Sequence, residues 1–152
     1  MNVSPSSRRI PLTDVLQAHR VLQDVIVPTP LQPIRGLSAR FDCNVWLKRE
    51  DLQNVRSFKI RGAYNLIASL PEAERRRGVI CASAGNHGQG VAFSCQALGI
   101  PGIIYMPATT PRQKIHQVKL FGGEYAEVRL VGDTFDDAYA EAVRCARQED
   151  LP

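Results

Sequence analysis

Two short stretches of this 152-residue chain carry residue types that could do chemistry. The first runs Ser57, Phe58, Lys59, Ile60, Arg61, Gly62, preceded by Lys48, Arg49, Glu50, Asp51, Leu52 and Gln53. Lys59 falls at the expected start of a helix with Phe58 and Ile60 beside it. Its amine can rest against an apolar ring and lose part of its hydration, which lowers the pKa and frees a neutral amine for Schiff-base chemistry. The plain alternative is a surface lysine that keeps its amine in water. The second stretch, Ser83, Ala84, Gly85, Asn86, His87 and Gly88, follows a strand and opens a helix. Backbone N–H groups and the positive helix end converge there on an anion, and a carboxylate or a phosphate fits. An ordinary strand-to-helix turn, with glycines serving backbone geometry alone, is the competing account. The stretch is not a Walker A sequence, because no Gly-Lys-Ser/Thr follows, and its glycine spacing is not that of the dinucleotide fingerprint.

The elements that must position these residues are legible from periodicity. Thr13 is expected to cap a helix to about Gln23, with Val15, Leu16, Val21 and Leu22 on its apolar face. Prolines 28, 30 and 33 then forbid helix and favour an extended path. A helix around 34–41 and a strand around 45–48 follow. Next come a helix over 58–69 ending before Pro71, a strand over 79–82, a helix from about Gly88 to Leu98, and a strand over 102–106. Pro111 suits the first turn of a helix running to Phe121, and Gly122 and Gly123 stop it. A strand over 125–131 and an amphipathic helix over 134–147 complete the pattern. Short strands apolar on both faces, alternating with helices, specify an α/β fold: a parallel sheet with helices on both faces and right-handed crossovers. The chain stops after a helix, where another strand is expected, and so reads as interrupted.

Composition sets the class. With 44% hydrophobic and 22% charged residues the chain is an ordinary globular protein. The formal charge of +4 comes partly from Arg8 with Arg9 and from Arg75, Arg76 and Arg77 at a helix end. No basic stripe is interleaved with aromatics, so these clusters read as solvated surface and no nucleic-acid partner is expected. Cys43, Cys81, Cys95 and Cys145 form neither a C-x-x-C pair nor a zinc pattern, so reduced thiols and no metal are expected. The N-terminus lacks a signal-peptide stretch, and no apolar run approaches the roughly 18 residues of a membrane span. A cytoplasmic protein with no membrane partner is the expectation. No Ser, His and Asp set sits in a nucleophile-elbow context, which disfavours a hydrolase.

Six ordered stretches carry a resemblance: PTPLQ at 28–32, LKREDLQ at 47–53, SFKIRGA at 57–63, ASAGNHGQGVA at 82–92, YMPATTPRQKI at 105–115 and FGGE at 121–124. Together they resemble the fold-type II pyridoxal-phosphate (PLP) enzymes, and within them the threonine and serine dehydratases. The resemblance covers nearly all of the chain from Val25 onward. It implies the three-layer small domain of the tryptophan synthase beta-like fold over residues 51–152. Residues 1–50, with a flexible lead-in over 1–11, would be an N-terminal piece of the large domain, and the C-terminal remainder of the catalytic domain would be absent, including a second glycine-rich loop that grips the cofactor phosphate.

The resemblance also implies roles. Lys59 would hold PLP covalently and take the substrate Cα proton as general base. Phe58 would pack against the cofactor ring and Asn86 would hydrogen-bond its 3′ oxygen. Ser83, Ala84, Gly85, Asn86 and His87 would bind the substrate carboxylate. The implied reaction is threonine ammonia-lyase chemistry, L-threonine to 2-oxobutanoate and ammonia on the route to isoleucine, with L-serine as a second substrate and a homo-oligomeric enzyme. Serine/threonine dehydratase and serine racemase share the lysine and asparagine motifs, whereas GDTFDDAYAEA at 132–142 and TTPRQKI at 109–115 favour the threonine enzyme. A non-enzymatic module that pairs with a separate C-terminal half is the remaining alternative. Among other residues, His87 reads equally as a capping or buried structural histidine, and Arg49, Glu50 and Asp51 as a surface ion network. Arg61 and Tyr64 read as helix packing or domain contact, Trp46 as core, and His19 and His116 as exposed. Apolar surface is expected to remain open on Val25 to Leu37 and on the helix after Lys59.

Overall fold

The computed structural model describes residues 10–152; most of the lead-in expected over residues 1–11 lies outside the described residues. Helix α1 (Leu12–Leu22) begins one residue before the expected cap. Pro11 occupies the cap position and its carbonyl accepts the Asp14 N–H at 3.1 Å, so Thr13 lies inside the first turn with its hydroxyl turned to Asp14. Strand β1 (Leu31–Pro33), helix α2 (Arg35–Phe41) and strand β2 (Trp46–Lys48) follow. β1 and β2 pair antiparallel, Leu31 opposite Lys48 and Pro33 opposite Trp46, as a two-stranded ribbon separate from the main sheet. A 3₁₀ turn over Glu50–Leu52 leads towards helix α3 (Lys59–Ser69) and the short α4 (Glu72–Arg77).

The second half alternates strictly: β3 (Val79–Ala82), α5 (Asn86–Leu98), β4 (Gly102–Met106), α6 (Arg112–Gly122), β5 (Ala126–Leu130) and α7 (Phe135–Glu149). The three strands are parallel in the order β3-β4-β5, with Val79 opposite Gly102 and Gly102 opposite Ala126. Strand side chains alternate between faces, and both faces are covered. Val79, Cys81, Ile104, Met106 and Val128 pack with Ala63 and Ile67 of α3, Val91 and Cys95 of α5 and Val118 of α6. Ile80, Ala82, Ile103 and Tyr105 pack with Ala138, Ala142 and Cys145 of α7. The expected three-layer arrangement is therefore present. β5 is an edge strand whose second face is polar: Arg129 forks onto Glu127 and donates to the Tyr105 hydroxyl at 3.1 Å. After α7 the chain returns to the other edge, where the Ile80 N–H donates to the Pro152 carbonyl at 3.1 Å.

Local signals explain the boundaries. Thr134 caps α7 in a reciprocal capping box with Asp137, the hydroxyl accepting the Asp137 N–H and the carboxylate accepting the Thr134 N–H. Pro111 is the residue before α6 and not its first. The arginine cluster is surface, as expected: Arg76 pairs with Glu72, Arg77 with Asp150, and Arg75 donates to the Ala68 carbonyl. All four cysteines are free thiols, and burial pushes Cys81 and Cys95 up to about 12 each. Trp46 is not core; it is 53% exposed, because the β1–β2 ribbon has no described layer packed over it. Val27, Leu31 and, on α3, Leu66 are exposed as expected. No helix among the described residues is long and apolar enough to cross a membrane.

Candidate active site

Lys59 is the first residue of α3, and its N–H donates to the Ser57 hydroxyl at 3.1 Å. Its ammonium stands 5.1 Å from the centroid of the Phe58 ring, the aromatic contact expected from their adjacency. The expected enclosure is missing: Lys59 and Phe58 are both exposed, because the described residues wall only one side of them. That wall is α5. Gly90 lets α5 approach so closely that a Cβ there would lie 3.2 Å from both the carbonyl carbon and the oxygen of Lys59. Helix α5 therefore sets its first turn beside the lysine, and an open cleft of about 290 Å³ is lined by Phe58, Lys59, Arg61, Gly62, Ala63 and His87.

The turn after β3 has the donor chemistry that its sequence predicts. Helix α5 starts at Asn86, two residues earlier than expected, because the Ser83 hydroxyl accepts the Gly88 N–H at 2.9 Å and organises the first turn from outside the helix. Gly88 permits this, since a Cβ there would lie 3.0 Å from the Ser83 carbonyl oxygen. The Ser83 N–H is committed to the Tyr105 carbonyl and the Gly85 N–H to the Ser83 hydroxyl. The N–H groups of Ala84, Asn86 and His87 have no acceptor among the described residues, nor has the Asn86 carboxamide a partner. Three unpaired amides at a helix start form a cradle for an anion. His87 joins this turn to the lysine cleft, whereas Ser83, Ala84, Gly85 and Asn86 do not line it. His87 is neither buried nor a cap: it is exposed in the first turn of α5, where partial desolvation and then the charge of Lys59 hold its imidazole below the usual histidine range.

The ion network before the lysine differs from its expected form. Arg49 does pair with Asp51 at the surface, but Glu50 turns inward. It receives the Arg61 guanidinium as a fork, Nε at 2.8 Å and Nη2 at 2.7 Å, and the Thr29 hydroxyl at 2.5 Å. Arg61 first, opposed by partial burial and then aided by Thr29, holds the Glu50 carboxyl at about 2. Gln53, fully buried, accepts the Val27 N–H and donates to the Val27 carbonyl. Thr29 and Gln53 lie in the stretches 28–32 and 47–53, but nothing in their spacing along the sequence pairs them across the fold. His19 and His116 are exposed, and Tyr64 is half-buried on α3. No group of three or more potential metal ligands occurs among the described residues.

The sequence model of the pyridoxal-phosphate dependent enzymes matches residues 22–151. The chain belongs to that family. Within it, the chain is 61% identical over 134 residues to the L-threonine dehydratase biosynthetic IlvA of Halalkalibacterium halodurans, covering 88% of this chain and 32% of the relative. It is 55% identical over 140 residues to the protein of the same name from Bacillus subtilis, covering 92% and 33%. The processed form of threonine deaminase isoform 2 from Solanum lycopersicum superposes with a TM-score of 0.80 at 41% identity, over 93% of this chain and 40% of that one. Maize serine racemase superposes with a TM-score of 0.83 at 25% identity, over 91% and 41%. The chain thus spans about a third of the length of the curated relatives that it matches. The residues present suit the family's cofactor: an amine beside an aromatic face, an unpartnered carboxamide and three free amides can serve a flat ring with polar substituents and a substrate carboxylate.

Proposed function

We propose that this chain is the lysine-bearing part of a cytoplasmic threonine ammonia-lyase, which converts L-threonine to 2-oxobutanoate and ammonia for isoleucine synthesis, with L-serine as a poorer substrate. The observation that carries the reading is the shared cleft, where Lys59 meets the first turn of α5 through His87. The 61% identity to a biosynthetic threonine dehydratase, against 25% to a serine racemase, supports threonine as substrate. Residues 51–152 form the small domain in this reading and residues 1–50 belong to a large domain, in keeping with the separate β1–β2 ribbon. The enzyme works as a homo-oligomer.

When bound, PLP supplies an electron sink for charge developing at the substrate Cα. The chain's own residues do the rest. Lys59 Nζ would hold the cofactor and move the proton at Cα. Phe58 would flank the ring, and the Asn86 carboxamide would hydrogen-bond its oxygen. The free amides of Ala84, Asn86 and His87 orient the substrate carboxylate, with Ser83 and Gly85 shaping the turn and the helix start favouring the negative charge. A neutral His87 leaves those amides as the principal donors there. Treated with PLP and freed of unbound cofactor, the chain is expected to show a visible absorbance band that L-threonine perturbs more than L-serine does and that Lys59→Ala reduces to the small part owed to exposed lysines such as Lys114 and Lys119. A band undiminished in Lys59→Ala, or no band from the unaltered chain, refutes the assignment.

A further inference from the structure

We propose that the Glu50–Arg61 ion pair is a staple that positions Lys59, an inference that rests on Lys59 being the cofactor lysine. Lys59 sits at the end of an irregular stretch. Residues 53–58 form no strand or helix, Phe58 and Lys59 are exposed, and Arg56 adopts a left-handed φ of 57°, which L side chains rarely take up. Packing alone holds this stretch only through Gln53, Val55 and Ser57. The staple closes it at the base. Glu50, in the 3₁₀ turn before the stretch, grips Arg61, two residues beyond Lys59, with both carboxylate oxygens. A forked pair fixes orientation as well as distance, and tying the ends of such a compact loop removes much of its freedom.

The staple is itself anchored. The Thr29 hydroxyl and the Gln53 amide both donate to Glu50, and Gln53 is locked by two hydrogen bonds to the Val27 backbone. The extended segment over 27–29 is thereby tied to the lysine helix. The pair differs from its neighbours in kind: Arg49–Asp51 and Arg76–Glu72 are surface pairs between residues close in sequence, whereas the Glu50 side chain is only 15% exposed and its partner lies in another element. Arg61 and Glu50 are thus positioning residues, acting through the geometry of the lysine and not on substrate.

The test uses the 152-residue chain treated with PLP and borohydride, followed by mass spectrometry of the trapped label. The readout is the ratio of label on Lys59 to label on Lys114 and Lys119, the exposed lysines of α6, which cancels differences in reagent, and the urea midpoint of each variant identifies a general loosening of the fold. Glu50→Gln and Arg61→Gln are each expected to reduce the ratio roughly tenfold or more. The double variant is expected to fall no further, as for two halves of one interaction, and Asp51→Asn to leave the ratio unchanged. An unchanged ratio in Glu50→Gln, or single effects that multiply in the double variant, overturns the proposal. If the unaltered chain shows no preference for Lys59, the cofactor reading fails, and amide hydrogen exchange decides the staple by itself. Faster exchange in Glu50→Gln confined to the first turn of α3 sustains it; no change, or a uniform rise that includes β4 and α7, overturns it.

Discussion

Between the layers of the parallel sheet, Ile104, Met106, Val118 and Cys95 are fully buried, whereas among the described residues up to Leu52 only Leu22 and Thr29 are buried and the rest are half-buried or exposed. The N-terminal region is not short of apolar side chains. Leu12, Val15, Leu16, Leu31, Phe41 and Trp46 are all exposed there. What holds it is directional bonding: the Gln53 clamp on Val27, the Thr29 and Arg61 bonds to Glu50, and the Lys48 ammonium on the Thr29 carbonyl. Area removed from water stabilises the sheet region at about 25 cal/mol per Å² and tolerates small shifts. A hydrogen-bonded region contributes less per contact but fixes position, since a fork or a double amide bond fails when its partner moves. The candidate site lies where the two meet, with Lys59 at the end of the polar region and the first turn of α5 at the edge of the apolar one.

This contrast can be broken by substitution. The largest effect is expected in the sheet: Ile104→Ala, in the central strand, should cost about 2–5 kcal/mol in urea unfolding, and a loss near zero would mean that the strand is not core. Next comes the polar region, where Glu50→Gln should cost about 1–3 kcal/mol at neutral pH. Its pH dependence carries a sign. The folded carboxyl is held below its ordinary value of 4.5 at about 2, so the stabilisation is complete above the ordinary value and disappears as the pH falls through about 2. Unfolding midpoints of the unaltered chain and of Glu50→Gln should therefore converge between pH 5 and pH 2; a constant difference would remove the ion pair from the account. The smallest effect is expected at Trp46→Ala, within about 0.5 kcal/mol, since no described layer rests on that ring. A larger loss would show that the ribbon carries a core of its own.

How much of this was readable beforehand depended on how local the cause is. β3 and β4 begin and end where expected because Gly78 and the Ser83 turn bracket the first, and Pro101 and Pro107 the second. Thr134 and Asp137 lie three residues apart, so the cap of α7 announces itself. The start of α5 was displaced because its organising hydroxyl, Ser83, stands outside the helix. Trp46 was misplaced because residue type reports affinity for a core but not whether one lies within reach. The Glu50–Arg61 pair spans an irregular stretch with no period, so neither helix nor strand spacing reveals it. Lys59 itself was legible only through its surrounding motif, and its openness to solvent was not legible at all.

The thiols carry a practical consequence. Cys81 and Cys95 remain protonated throughout the neutral range, Cys145 is buried, and Cys43 alone lies open, in the bend that joins α2 to β2. A maleimide dye should couple there without competition from the interior, and the resulting fluorophore would report on the bend that leads into the ribbon.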